Sequence, residues 1–554
     1  MRKIWTRCIL LVLMAALLLP AASVSAGRHK AAEQLAKPKA KILFVPQDNR
    51  PTSCEQTADV ARKLGYEVIM PDKELLGGLQ QKGKPEQLWQ WTQTQAEQAD
   101  IAVIASDSLL YGGLVASRKH DIPEPVLRQR AAQLSELQQE NPRLKLYVFA
   151  SLMRTPRSGE ASGGEDPDYY IDYGEQIFRY TALMDKAEIS GLSAEEADEV
   201  MQLESELPAW ALSDWMARRQ HNVDSTKVLI DEVRKGAIEY LLVGKDDNAS
   251  LSQTHRESRW LQTYGRDIQP EHFQLVAGID ELGLLLMSRA VNAWEHTVPK
   301  VAIRYNEGFG GRTIPTYSDE RVEATLQTDL QIAGGQLVSE PEQADFTLLV
   351  NTNPDGITGE ANHIRDWEQA PLNNGLNRAG TNAFMRQLRG LLQSGCAVGI
   401  ADIAFTNGAD NALMRHLEQE NLLFSLRSYA GWNTATNSLG FSLAQGMLAA
   451  RMPREQSNAL LLTRYLDDWG YQSNVRTTLA MEIERLEDPQ IYLYLGNYEA
   501  DMAEKATLLL QDFARRHLPQ LANPGTLSLS FPWHRMFIAD IKIDAAGKNG
   551  RRKE

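Results

Sequence analysis

The stretch Ile42-Leu43-Phe44-Val45-Pro46-Gln47-Asp48-Asn49-Arg50 decides how the chain is read. An apolar run of strand length stops abruptly and gives way to amide, carboxylate and guanidinium groups. A continuous apolar run, unlike an alternating one, belongs to a strand covered on both faces. The pattern returns at Val68–Met70, Ile101–Ala105, Leu144–Ala150, Tyr240–Val243, Leu275–Ala277, Val301–Tyr305, Phe346–Val350 and Ala397–Ile400, with helix-like segments between. Strands alternating with helices make parallel βα units. The expected fold is α/β with a mostly parallel sheet. A barrel-like or doubly wound first domain spans 41–297, with a helical insertion at about 155–235. A second α/β unit follows at 298–438, then a helical C-terminal region at 439–554. Ile491–Leu495 and Phe537–Ile543 are read as extra strands, and no internal repeat is evident.

The residues after these strands carry the chemistry. They include Gln47-Asp48-Asn49-Arg50, Ser106-Asp107-Ser108, Lys245-Asp246-Asp247-Asn248, Ile279-Asp280-Glu281, Asn306-Glu307, Asn351-Thr352-Asn353 and Ala401-Asp402. In parallel α/β folds the ligand site lies at the carboxyl ends of the strands. Any one of these residues can be a helix cap, but Asp246-Asp247-Asn248 exceeds what one cap requires. Two adjacent carboxylates repel, so one keeps its proton nearer neutrality and can serve as an acid.

The chain has 554 residues, 43% of them hydrophobic, and a formal net charge of −14. This excludes a disulfide scaffold and a disordered tail, and it argues against a nucleic-acid partner. Residues 1–26 read as a signal peptide. Arg2, Lys3 and Arg7 precede the apolar run Ile9–Leu19, and small residues lead to a cleavage position after Ala26. Residues 27–40 form a leader. The mature protein is expected outside the cytoplasm, secreted or extracytoplasmic, with no stable membrane insertion after signal cleavage. Cys54 and Cys396 then remain, read as two unpaired thiols, with a long-range disulfide as the alternative.

Familiar motifs are missing. There is no His-Glu-x-x-His, Cys-x-x-Cys or Gly-x-Ser-x-Gly. Gly78-Leu79-Gln80-Gln81-Lys82-Gly83-Lys84 resembles a phosphate loop, but Pro85 replaces its Ser or Thr. Three other strings stand out: Val45–Pro51, Asp107-Ser108-Leu109-Leu110-Tyr111-Gly112-Gly113-Leu114 and Tyr429-Ala430-Gly431-Trp432-Asn433-Thr434. Together they resemble the bacterial DUF4127 family from about Lys41 to near the C-terminus, a resemblance that implies no catalytic residues. The Asp-Asp pair with a later Trp-Asn also resembles the barrel hexosaminidases, which use the substrate's own acetamido group.

The functional expectation is an exported hydrolase acting on a carbohydrate or cell-wall ligand, a glycosidase in type. Asp246 and Asp247 are the expected acid/base pair. Asp48, Arg50, Asp107, Tyr111, Asn306, Trp432 and Asn433 are expected to position the substrate, Trp432 by stacking on a sugar ring. No cofactor is expected. A non-catalytic sugar or peptidoglycan binder is the first alternative. A hydrolase or transferase using a divalent cation on Asp48, Asp107 and Asp246 is the second.

Overall fold

A computed structural model describes residues 38–246, 249–361, 373, 378–484 and 490–543. The expected signal peptide, most of the leader and Asp247 lie outside the described residues.

All nine apolar runs form strands. The first sheet contains β1 (Lys41–Val45), β2 (Glu67–Ile69), β3 (Ile101–Ala105), β4 (Lys145–Leu152), β5 (Tyr240–Lys245) and β6 (Phe273–Ala277). They pair in parallel in the order β2-β1-β3-β4-β5-β6. The sheet is open, with β2 and β6 at its edges, so the first domain is doubly wound and not a barrel. The strands continue as β7 (Lys300–Tyr305), β8 (Gln336–Leu337), β9 (Phe346–Asn351), β10 (Gly359–Glu360), β11 (Val398–Asp402), β12 (Phe405–Thr406) and β13 (Ser428–Ala430). Five of these form a second parallel sheet, β13-β11-β9-β7-β8. Counted from its own first strand, its order matches the first five strands of the first sheet. The repeat that the sequence hides is thus present in the topology. Each sheet reverses its winding beside its first strand, between β1 and β3 and between β7 and β9, and such a switch point opens a crevice at the carboxyl ends.

The two sheets share a core. Helix Leu282–Trp294 covers β3, β4 and β5, helix Ala435–Ala449 covers β9, β11 and β13, and the two helices pack on each other. Every residue of Ala435–Ala449 is buried, as expected of a helix between layers that needs no polar stripe. Residues 39–554 form one compact unit. The expected insertion is helical, at Tyr170–Ser190, Ala194–Glu206 and Ala209–Arg234.

Two expected strands differ. Gln490–Leu493 is a helix, and Leu495 follows it, buried, in the connection to the turn Gly496–Tyr498. Of Phe537–Ile543 only Asp540–Ile543 (β15) is extended, paired antiparallel with β14 (Leu527–Ser530). Cys54 and Cys396 are unpaired. Cys54 is buried and donates its thiol to the Asp48 carbonyl at 2.9 Å. No described helix is long and apolar enough to cross a membrane.

Candidate functional site

At the first switch point three loops are joined by their backbones. Asn49 donates its N–H to Gly77 O, Gly83 to Gly112 O and Leu114 to Gln47 O. A Cβ on Gly77 or Gly83 would lie 2.2 Å from Gly112 O, and Gly112 and Gly113 hold φ of 97° and 128°. These glycines are required by close backbone approach. The Gly78–Lys84 loop therefore packs on protein backbone in place of a phosphate. Ser108 fixes the β3 loop to the β1 loop by donating to Pro46 O at 2.6 Å.

A buried ionic cluster sits above them. Arg50 lies between Asp48 at 2.7 Å and Asp280 at 2.5 Å. Burial opposes its charge, but Asp280 and Asp48 outweigh that penalty and raise its pKa. Asp280 also accepts from Gln47 at 2.8 Å, Asn433 at 2.8 Å and Asn437 at 3.2 Å. The Trp533 ring covers the Arg50 guanidinium at 4.9 Å, and its Nε1 donates to Asn49 Oδ1 at 2.7 Å.

Asp107, at the end of β3, is buried against Ser151 of β4. Burial pushes its pKa up to about 7. Hydrogen bonds from the Ser151 hydroxyl and N–H and the charge of Arg118 counter only part of the rise, and Asp48 adds to it. Arg118 also bridges two carboxylates, donating to Glu165 at 2.6 Å and contacting Asp246 at the end of β5.

The second sheet carries its own network. Asn306 donates to the Thr352 carbonyl at 3.1 Å and faces Asn351, which donates to Asp402 at 2.8 Å and Asp410 at 3.0 Å. Arg378 pairs with Asp410 at 2.6 Å, and Tyr429 donates to Asp402 at 2.7 Å. Burial and then Asp410 push Asp402 up to about 6. Asp468, pushed up to about 7 mainly by burial, accepts from the Gly431 N–H at 2.8 Å. The string Tyr429–Asn433 therefore joins the two networks, with Tyr429 and Gly431 on one side and Asn433 on the other.

Of the expected site residues, Asp48, Arg50 and Asn433 meet around Asp280. Asp246 contacts Arg118, and Asp107, bonded to Ser151, lies within range of the Arg118 charge. Asn306 belongs to the second network. Tyr111 turns away from the cluster and stacks on His120, with ring centroids 4.9 Å apart. Trp432 is only 5% exposed and packs with Val115, Trp533 and Ile538, its ring tilted against Phe537. This packing leaves almost none of the indole open for the expected sugar stacking. The left-handed residue is Asn433, at φ 60°, a conformation Asn tolerates better than most residues. Asp48, Asp107 and Asp246 hold Arg50, Ser151 and Arg118 respectively. Among the described residues no group of three or more His, Cys, Asp or Glu side chains is placed to hold a metal ion.

The sequence reading gave no site role to Glu165, Trp533 and Arg535. Trp533 and Arg535 come from the C-terminal segment after β14, which lies across the carboxyl end of the first sheet. Nothing local marks them, because their partners Asn49 and Glu165 are hundreds of positions away. Asp280 was legible only as one strand-end acid among several.

The fold and site define an α/β protein of two doubly wound sheets whose strand ends share a buried ionic network. The chain belongs to the family described as "Protein of unknown function (DUF4127)", whose model matches residues 42–542. No curated protein and no solved structure matches it.

Proposed function

We propose that the protein is an exported hydrolase acting on a carbohydrate, with its reacting groups at the switch point of the first sheet. The observation that carries this reading is Asp107, a buried carboxyl at the end of β3 whose pKa is pushed up to about 7. A carboxyl that keeps its proton near neutrality can protonate a leaving glycosidic oxygen, and a second carboxylate then supports the positive ring carbon or activates water. Asp246, held by Arg118, whose charge also acts on Asp107, is suited to that second role. The proposed pair is therefore Asp107 with Asp246, where the sequence suggested Asp246 with Asp247. Asp48, whose charge raises Asp107 further, belongs with Arg50, Asp280 and Asn433 to the neighbouring cluster.

The experiment is turnover of aryl glycosides and cell-wall oligosaccharides by the mature protein, beside Asp107→Asn and Asp246→Asn. Loss of roughly 100-fold or more in either variant is expected for a group that moves a proton in the rate-limiting step. A second reading, a sugar binder without catalysis, draws on the neutralisation of Asp48 and Asp280 by Arg50. Saturable binding without product would select it. Turnover abolished by a chelator and restored by Mg²⁺ or Ca²⁺ would select the cation-dependent reading.

A further inference from the structure

Two arginines from separate elements grip one carboxylate, and a third, Arg154, stands behind it, itself paired with Asp166 at 2.8 Å. Arg118 comes from the helix Leu114–Lys119, Arg154 follows β4, and Arg535 lies in the C-terminal segment. Around Glu165, Arg535 contacts Oε1 at 2.5 Å, while Arg118 at 2.6 Å and Arg154 at 3.7 Å face Oε2. All three guanidiniums are buried. A planar two-oxygen anion flanked by guanidinium forks is the geometry by which arginine recognises carboxylates. Burial opposes ionisation of Glu165, yet Arg535, Arg154 and Arg118 outweigh it and hold the group well below the ordinary carboxylate range.

Glu165 lies between a glycine pair and Asp166, which Arg154 holds at 2.8 Å. It follows Gly163 and Gly164, both at positive φ (55° and 77°), and no heavy atom lies within 4 Å of where a Gly164 Cβ would be. Gly164 leaves room for the backbone to turn, while a Gly163 Cβ would lie 3.6 Å from Arg535 Nη1 and the Gly164 carbonyl accepts from Lys119 Nζ at 2.8 Å. Arg118 also touches Asp246, so the cluster borders the proposed reacting pair.

We propose that Arg118 and Arg535, with the charge of Arg154 behind them, form a receiving site for a carboxylate carried by the ligand, and that Glu165 fills this site in the closed protein. The ligand class is an acidic sugar. When it enters, its carboxylate replaces that of Glu165 between Arg118 and Arg535, and Glu165 moves to solvent on its glycine pair. The inference rests on reading this crevice as the carbohydrate site, but not on any bond being cleaved.

The test is calorimetric titration of a galacturonate trisaccharide and its neutral galactose counterpart into wild type, Glu165→Gln and Arg535→Gln. Wild type should bind the acidic sugar and not the neutral one. Glu165→Gln should tighten binding of the acidic sugar by about tenfold, and Arg535→Gln should weaken it by about tenfold, the scale of one charge-assisted contact. Equal binding of both sugars by wild type, or unchanged affinity in folded Glu165→Gln, would overturn the proposal. If that variant fails to fold, the wild-type comparison and Arg535→Gln decide. Binding of the acidic sugar without cleavage of any glycoside would keep this site and remove the hydrolase reading. Cleavage of neutral glycosides with no response to the carboxylate would do the reverse.

Discussion

Asn433 donates its side-chain amide to Asp280 across 2.8 Å, joining the end of β13 in the second sheet to the end of β6 in the first. The two residues are 153 positions apart. Asp280 gathers groups from the β1 loop as well, so one carboxylate holds strand ends of both sheets in register. Its removal should cost more than the loss of any single donor. Asp280→Ala leaves part of a buried charge cluster uncompensated, at about 3–5 kcal/mol. Asn433→Ala loses one hydrogen bond, about 1–3 kcal/mol, and adds left-handed strain of about 1 kcal/mol. Asn433→Gly loses the bond without the strain. Urea unfolding should rank the losses Asp280→Ala, Asn433→Ala, Asn433→Gly. Equal midpoints for the two Asn433 variants would contradict the backbone argument.

Trp432 separates a structural role from a binding one. Packed against Val115, Trp533 and Ile538, it should behave as a core residue. Trp432→Ala should lower stability by about 3–5 kcal/mol. Thermal unfolding at the wild-type temperature, with weakened sugar binding, would restore the stacking role.

Glu281 and Asp329 meet beneath helix Ala435–Ala449, where Gly440 makes room for them. A Cβ there would lie 2.6 Å from Glu281 Cγ and 3.4 Å from Asp329 Oδ2. Their four carboxylate oxygens are buried, with no hydrogen-bond partner from another described residue. Burial, with Asp329, Asp280 and Asp246 nearby, raises Glu281 well above 4.5, and burial with Glu320 raises Asp329 well above 3.8. The folded state therefore binds these protons more tightly than the unfolded chain. Stability falls as pH rises from the unfolded values through the raised folded ones. Denaturation midpoints should decline from about pH 5 upward, and Asp329→Asn or Glu281→Gln should flatten the decline. An unchanged slope in both variants would show that the pair is ionised or paired in solution.

Most of the fold was legible because its strands are continuous apolar runs. Lys41–Val45 and Ile101–Ala105 need cover on both faces, whatever lies elsewhere in the chain. The second sheet's last strand, Ser428–Ala430, is three residues long and includes a Tyr whose hydroxyl binds Asp402, so it left no apolar run to read. Ile491–Leu495 misled because Ile491 and Leu495 satisfy helical spacing as well as a short strand's. For the site, strand-end chemistry was visible but its pairings were not. That Asp246 meets Arg118 depends on a helix more than 120 positions earlier. Arg535 reaches Glu165 across 370 positions. Such contacts are set by how the layers pack, and no local pattern encodes them.

The central claim is that Asp107 supplies the acid at the switch point, and its pH profile tests this most directly. With a pKa near 7, an acid that must be protonated loses activity as pH rises through that value. The measurement is kcat/KM for a cleaved aryl glycoside from pH 4 to 9, in wild type and Asp107→Asn. An alkaline limb near pH 7 is expected in wild type, with a rate lower by about 100-fold or more in Asp107→Asn. Wild-type turnover by Asp107→Asn, with the same alkaline limb, would contradict the claim.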